Sequence, residues 1–271
     1  MTAIADAIRG KTGGTNPLTL DQMATAIAEI QTGGGDTTSL FTEINNGTIE
    51  NFIATEDMYR LRPYMFYGNA SLKSIDLTKL NAPWLGGGST KDHNGLIGAY
   101  CFSNCTALEN IILPENTGVS WIHGRAFMGC TALKEFATEK PGSFSSLCPQ
   151  VFANCTNLKK AIIPNFTSAA VANVFNGCTS LELVDFAGGT IGATWFNNCA
   201  LLKTLVIRGA SVTTLLNINA FTNTPFASDG TGGTVYVPAA LIESYQTATN
   251  WSTLYAAGTC NFAAIEGSEY E

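Results

Sequence analysis

An α+β solenoid of short parallel strands is the fold class that the sequence predicts, and three observations predict it. One phrase recurs: Phe102-Ser-Asn-Cys105-Thr-Ala-Leu108, Phe127-Met-Gly-Cys130-Thr-Ala-Leu133, Phe152-Ala-Asn-Cys155-Thr-Asn-Leu158, Phe175-Asn-Gly-Cys178-Thr-Ser-Leu181 and Phe196-Asn-Asn-Cys199-Ala-Leu-Leu202. An earlier copy, from Phe66 to Leu72, has Asn69 in place of Cys, and a degenerate copy starts at Phe221. Successive Phe residues lie 36, 25, 25, 23, 21 and 25 apart, and a period of roughly 20–29 residues with Leu at fixed offsets marks a leucine-rich solenoid. Nine and eleven residues after Phe comes an apolar pair: Ile75 and Leu77, Ile111 and Leu113, Val184 and Phe186, Leu205 and Ile207. Alternation at a spacing of two is a strand with one buried face.

The composition suits a packed rod. Of 271 residues, 45 % are apolar and 13 % charged, against about 25 % charged in an ordinary soluble domain. That argues against a disordered chain. The net charge of −7 disfavours nucleic acid as a partner. No apolar run is long enough for membrane insertion. The N-terminus lacks a basic start followed by an apolar core, so it does not read as a secretory signal peptide.

Residues 1–31 read as a two-helix anchor. Ile4 and Ile8 share one helical face; after a polar turn, Leu20, Met23, Ile27 and Ile30 line a second, with Thr19 and Gln22 placed as a capping box. Two helices this short need a partner. Residues 32–40 begin with Gly33-Gly34-Gly35 and read as a linker. Residues 41–233 form the solenoid. Two weaker pairs, Phe136 with Thr138 and Ala161 with Ile163, fill out the series, and Pro114 and Pro164 are expected to end two strands. The 84–95 insertion, rich in glycine, fits no repeat. Residues 234–271 form the cap: a last strand ending at Pro238, then an amphipathic helix with Leu241, Ile242 and Tyr245. Solenoid ends expose apolar surface and need such a cover.

The ladder cysteines read as small buried hydrophobes. Cys101, Cys148 and Cys260 stand outside the phrase and form no C-x-x-C, which argues against zinc or redox chemistry. Gly10-Lys11-Thr12 is not a phosphate loop, because Ala5 stands where that motif needs Gly. His93 and His123 are the only histidines. A Cys101–His93 pair would lack an identifiable orienting residue. No calcium-loop pattern occurs. Neither an enzyme, a metal site nor a cofactor is expected.

With the apolar pairs inward, the outward positions are Asn110 and Ile112, Glu135 and Ala137, Lys160 and Ile162, Leu183 and Asp185, Thr204 and Val206, preceded by Ser74 and Asp76. Ile112, Ala137, Ile162 and Val206 would then put an apolar row on the solvent side, which reads as a ligand or partner face. Trp84, Tyr100, Trp121 and Trp195 are expected in loops, as recognition anchors or as filling.

The Phe-x-x-Cys-x-x-Leu-x-x-Ile-x-Leu phrase resembles the BspA-like (Treponema-type) leucine-rich repeat family, over residues 64–254. That resemblance implies a non-enzymatic protein of a bacterial surface or virion that binds host or matrix proteins. Ile4 to Gly13 and Leu18 to Ile27 resemble an N-terminal segment of phage and prophage tail-associated proteins. This second resemblance implies docking of the helices onto other virion or tail proteins; because helices this short need a partner, copies of the chain itself are also expected, as a homo-oligomer. The solenoid would then recognise a bacterial cell-surface protein or glycan as a tail-tip or fibre-associated receptor-binding protein. The alternatives are a cell-surface adhesin and a structural virion component whose repeat face is a subunit contact.

Overall fold

A computed structural model describes residues 38–56, 58, 61–80, 97–113, 121–137, 146–168 and 172–271. The 1–31 helical hairpin and the 84–95 insertion lie outside the described residues. Among the described residues helix α1 (Thr38–Asn45) comes first, and it begins inside the stretch expected to be linker. Strands β1 (Asn51–Ile53), β2 (Ser74–Asp76), β3 (Asn110–Ile112), β4 (Trp121–Ile122), β5 (Glu135–Ala137) and β6 (Ser146–Leu147) follow. Then come β7 (Lys160–Ser168), β8 (Leu183–Ile191), β9 (Thr204–Ile207), β10 (Thr214–Leu215) and β11 (Gly233–Val237). Helices α2 (Ile242–Thr247) and α3 (Trp251–Ala256) and strand β12 (Cys260–Ala264) end the chain's regular structure.

All strand pairs are parallel, in two sheets along one side of the rod: β1-β2-β3, and β5-β7-β8-β9-β11-β12. The register is set by the repeat. Phe52, Ile75 and Ile111 stand abreast in the first sheet, as do Phe136, Ala161, Val184, Leu205 and Val235 in the second. The expected inward pairs are buried at Ile75, Leu77, Ala161, Ile163, Val184, Phe186, Leu205 and Ile207, and partly buried at Ile111 and Leu113.

A second row of short parallel pairings runs along another side, and the periodicity argument missed it. Leu61 bridges Ile97, Ile97 bridges Ile122, β4 pairs β6, and β10 pairs the far half of β8. Its signal was in the sequence. Leu61, Ile97, Ile122, Leu147 and Ile191 each stand five residues before a repeat Phe. Strand β7 runs through Pro164 rather than ending there; its register slips between Ile163 and Thr167, where the missing N–H is absorbed.

Between the two rows the chain makes a tight turn carrying Phe. Backbone N–H groups here donate to the next coil: Phe102 to Ala126, Asn104 to Met128, Phe127 to Val151 and Gly129 to Ala153, at 2.7–2.9 Å. The turn needs left-handed backbone two residues after Phe, where Gly68, Asn104, Gly129, Asn154, Gly177, Asn198 and Asn223 all have φ between 58° and 79°. Gly and Asn tolerate that region best, which explains their alternation in the repeat phrase. The large residue and its absence interlock: Asn104 Oδ1 fills the space that a Cβ on Gly129 would occupy, and Asn154 does the same to Gly177.

The seven repeat Phe rings, Phe66, Phe102, Phe127, Phe152, Phe175, Phe196 and Phe221, form one stack with centroids 5.1–5.7 Å apart and planes within 11°. Burying each contributes about 1.5–3 kcal/mol. Phe52 closes the stack edge-on at one end. Phe226 and Trp251 close it at the other. Trp195 is fully buried against Phe186 and Phe196, so it is core filling rather than a loop anchor.

The cap is larger than one strand and one helix. Trp251 Nε1 donates to Thr213 O at 2.8 Å, the Tyr245 hydroxyl accepts from Thr213 N at 2.9 Å, and Asn250 Nδ2 donates to Leu215 O at 2.7 Å. The strand that actually ends the sheet is β12, paired to β11 over five residues.

Candidate interaction surface

The outward side of the sheets carries two rows. One runs Asn51, Ser74, Asn110 and, in the second sheet, Glu135, Lys160, Leu183, Thr204. The other runs Ile53, Asp76, Ile112 and then Ala137, Ile162, Asp185, Val206, Tyr236. Of the ten expected face residues, Asn110, Ile112, Glu135 and Ala137 are exposed, and Lys160, Ile162, Leu183 and Thr204 are half-buried.

Asp185 and Val206 depart from expectation. They are only 5 % and 0 % exposed. The segment after β12 folds back over this part of the sheet. Arg208 holds Asp185 through two bonds of 2.8 Å and donates to Tyr270 O at 2.9 Å. The Tyr270 ring packs edge-on against Tyr236 at 4.6 Å. Val206 lies in register between Asp185 and Tyr236, beneath these contacts. Arg208 is raised above its usual pKa by the bonds to Asp185. Strand alternation shows which side a residue takes; it does not show which segment comes back to cover it.

The open part of the face is therefore the N-terminal part. It includes Ile53, which the repeat reading passed over because its strand precedes the first Phe. Ile53 and Ile112 are 59 % and 52 % exposed. Flanking charges pair along the axis, Lys73 with Glu50 and Lys134 with Glu109, each at 2.9 Å. The Asp76 carboxyl is held below its usual pKa by bonds from the Thr78 hydroxyl and backbone N–H.

The five ladder thiols do more than fill space. Cys105, Cys130, Cys155, Cys178 and Cys199 each donate to the carbonyl of a preceding coil's Phe: Phe66, Phe102, Phe127, Phe152 and Phe175, at 2.9–3.2 Å. Asn69 stands in the first coil, where no earlier repeat Phe offers a carbonyl. Its Oδ1 instead accepts from Ser71 N and Leu72 N. Burial pushes Cys105, Cys155 and Cys199 up to about 12 and also raises Cys130 and Cys178 well above the usual thiol value. Cys101 is likewise raised, Cys260 reaches about 12, and half-buried Cys148 is raised less. All eight cysteines are free thiols. None is an activated nucleophile.

A second cluster, which the periodicity reading did not bring together, lies on the turn side. Tyr64 stacks on Tyr100 with centroids 4.8 Å apart and planes 8° apart, and Tyr67 leans on both. Arg125 lies over the Tyr100 ring at 5.2 Å, donates to its hydroxyl, and donates through Nε to Gln150 Oε1. Tyr64, Tyr100, Arg125 and Gln150 each stand two residues before a repeat Phe, a signal available in the sequence.

Among the described residues, no group of three or more His, Cys, Asp or Glu is placed to hold a metal ion. No helix among them is long and apolar enough to cross a membrane. His93 lies outside the described residues.

No curated protein matches the chain. A Treponema pallidum leucine-rich repeat protein is 19 % identical over 61 % of this chain and 73 % of its own, with a TM-score of 0.45. The pneumococcal vaccine antigen PcpA is 16 % identical over 80 % of this chain and 41 % of its own, with a TM-score of 0.40. A leucine-rich cell surface protein of Faecalibacterium prausnitzii is 15 % identical over 68 % of this chain and 79 % of its own, with a TM-score of 0.27. Residues 95–227, just under half of the chain, match the BspA type leucine rich repeat region in six copies.

Proposed function

We propose that this chain is a non-enzymatic adhesion protein of a bacterial surface that holds a protein or glycan partner on the open part of its sheet face. The observation that carries the reading is the contrast along that face. Its last coils are closed by the chain's own returning segment, while Ile53 and Ile112 are left open beside Asn110, Glu135 and Ala137. Apolar side chains held on a ladder of backbone bonds lose little freedom when they bind. The BspA-type repeat match supports a surface recognition role over a catalytic one.

The test is adhesion of cells displaying the full chain. Ile112→Asp should lower attachment to the host or bacterial surface about tenfold, in line with loss of a central apolar contact. Its melting temperature should hold, because the side chain is exposed. Unchanged attachment overturns the reading. The virion setting, with tail proteins and copies of itself as partners, is favoured by residues 1–31 alone. Immunogold labelling of cells and of purified phage particles separates the two settings.

A further inference from the structure

The turn side of the coils repeats one backbone requirement twice and meets it in two different ways. Two residues after Phe, the left-handed backbone is filled by Gly or Asn in all seven coils. Two residues before Phe, left-handed backbone recurs in five coils, with φ of 57–62°, and there the residues are Tyr64, Tyr100, Arg125, Gln150 and Asn173. Bulky side chains are disfavoured in that region. The same repeat shows that Gly and Asn satisfy it without that penalty. The large side chains of the second series are thus retained for something other than the turn.

Their charge points to a ligand. Residues 61–68, 97–104, 121–130 and 146–155 contain no Asp or Glu, although the chain has 21 of them and a net charge of −7. Arg62 and Arg125 both lie in these stretches. Tyr64 and Tyr67 are 56 % and 52 % exposed and pack on Tyr100, whose ring lies under the Arg125 guanidinium. Arg125 has five N–H donors, two of which hold Tyr100 and Gln150. This is a cation set over one ring of an aromatic cluster and bonded to its hydroxyl, on an otherwise acidic molecule.

The backbone narrows the ligand class. The N–H groups of Tyr64, Tyr100, Arg125 and Gln150 already donate to Ala99, Gly124, Pro149 and Ala172. A peptide strand could not extend the ladder at these N–H groups. What is offered is side chain only: flat rings, hydroxyls, an amide and a guanidinium. That set suits a ring-shaped ligand bearing hydroxyls and a carboxylate. We propose that the corner formed by Tyr64, Tyr67, Tyr100, Arg125 and Gln150 is a binding site for carboxylate-bearing glycans, with the guanidinium taking the carboxylate and the tyrosines taking the sugar ring. It lies on a different side from the sheet face and does not rest on that reading.

The experiment measures binding of the full chain to immobilised polygalacturonate at physiological ionic strength, with dextran as the neutral polymer and poly-L-glutamate as the acidic peptide. Retention by polygalacturonate alone is the expected result. Tyr64→Asn, Tyr100→Asn and Arg125→Asn should each weaken it about tenfold or more. The same variants should melt no lower than the parent, since Asn suits left-handed backbone. Ile112→Asp should leave this binding unchanged. No retention by polygalacturonate, equal retention by dextran or poly-L-glutamate, or unaltered binding by the Asn variants would each overturn the proposal.

Discussion

At the scale of single residues, the ladder thiols show how one small side chain serves two purposes. Each fills a buried site and donates to a carbonyl of the preceding coil. Spacing in the sequence identified them as interior; it could not show the S–H···O contact, which depends on the rise between coils. Because Cys105, Cys155, Cys199 and Cys260 have folded-state values near 12 against 9.0 when exposed, their neutral form stabilises the fold fully below pH 9. That contribution is lost as pH rises towards 12. The melting temperature should therefore hold up to pH 9 and drop steeply above it. At pH 8, the ladder thiols should react with Ellman's reagent only after denaturant is added. The interlock between Asn104 and Gly129 gives a second residue-scale test. Gly129→Ala should destabilise by about 1–3 kcal/mol, from positive φ and the crowding Oδ1. Adding Asn104→Gly should recover the part due to crowding, as read by urea titration of the double mutant.

At the scale of elements, the phenylalanine stack sets how much each coil depends on its neighbours. Phe127 packs between Phe102 and Phe152 and also touches Phe136. Phe127→Ala should cost about 3–5 kcal/mol, measurable as a fall in the urea midpoint. The first strand row was legible because its apolar pair repeats at a fixed offset. The second row was missed because its strands are two residues long or single bridges, too short for alternation to register. Cap and returning segment were half legible. Pro238 and the Tyr245 helix stood out, whereas β12 and the turn to Tyr270 follow no repeat and depend on contacts with Tyr236 and Arg208 far away in sequence. Tyr270→Ala should unseat that segment, and hydrogen exchange should quicken at Thr204–Ile207 while β2 and β3 stay unaffected.

At the scale of the whole molecule, the coils from Phe66 to Phe196 are joined by the same three contacts: backbone N–H to carbonyl, thiol to carbonyl, and ring to ring. Stability is then a sum over neighbouring coils, and the ends matter more than their size suggests. Trp251 covers the last Phe ring and ties the cap to Thr213. Trp251→Ala should lower the melting temperature and promote end-to-end aggregation, seen by light scattering. The returning segment has a different consequence. It is fastened over β8, β9 and β11 by position, through Asp185, Arg208 and Tyr236. A gene that gained or lost a whole repeat unit among those carrying Phe102, Phe127 and Phe152 would leave this clasp untouched, whereas one inserted between Asp185 and Tyr236 would tear it open. Lineages that vary the reach of the rod should do so in its earlier half.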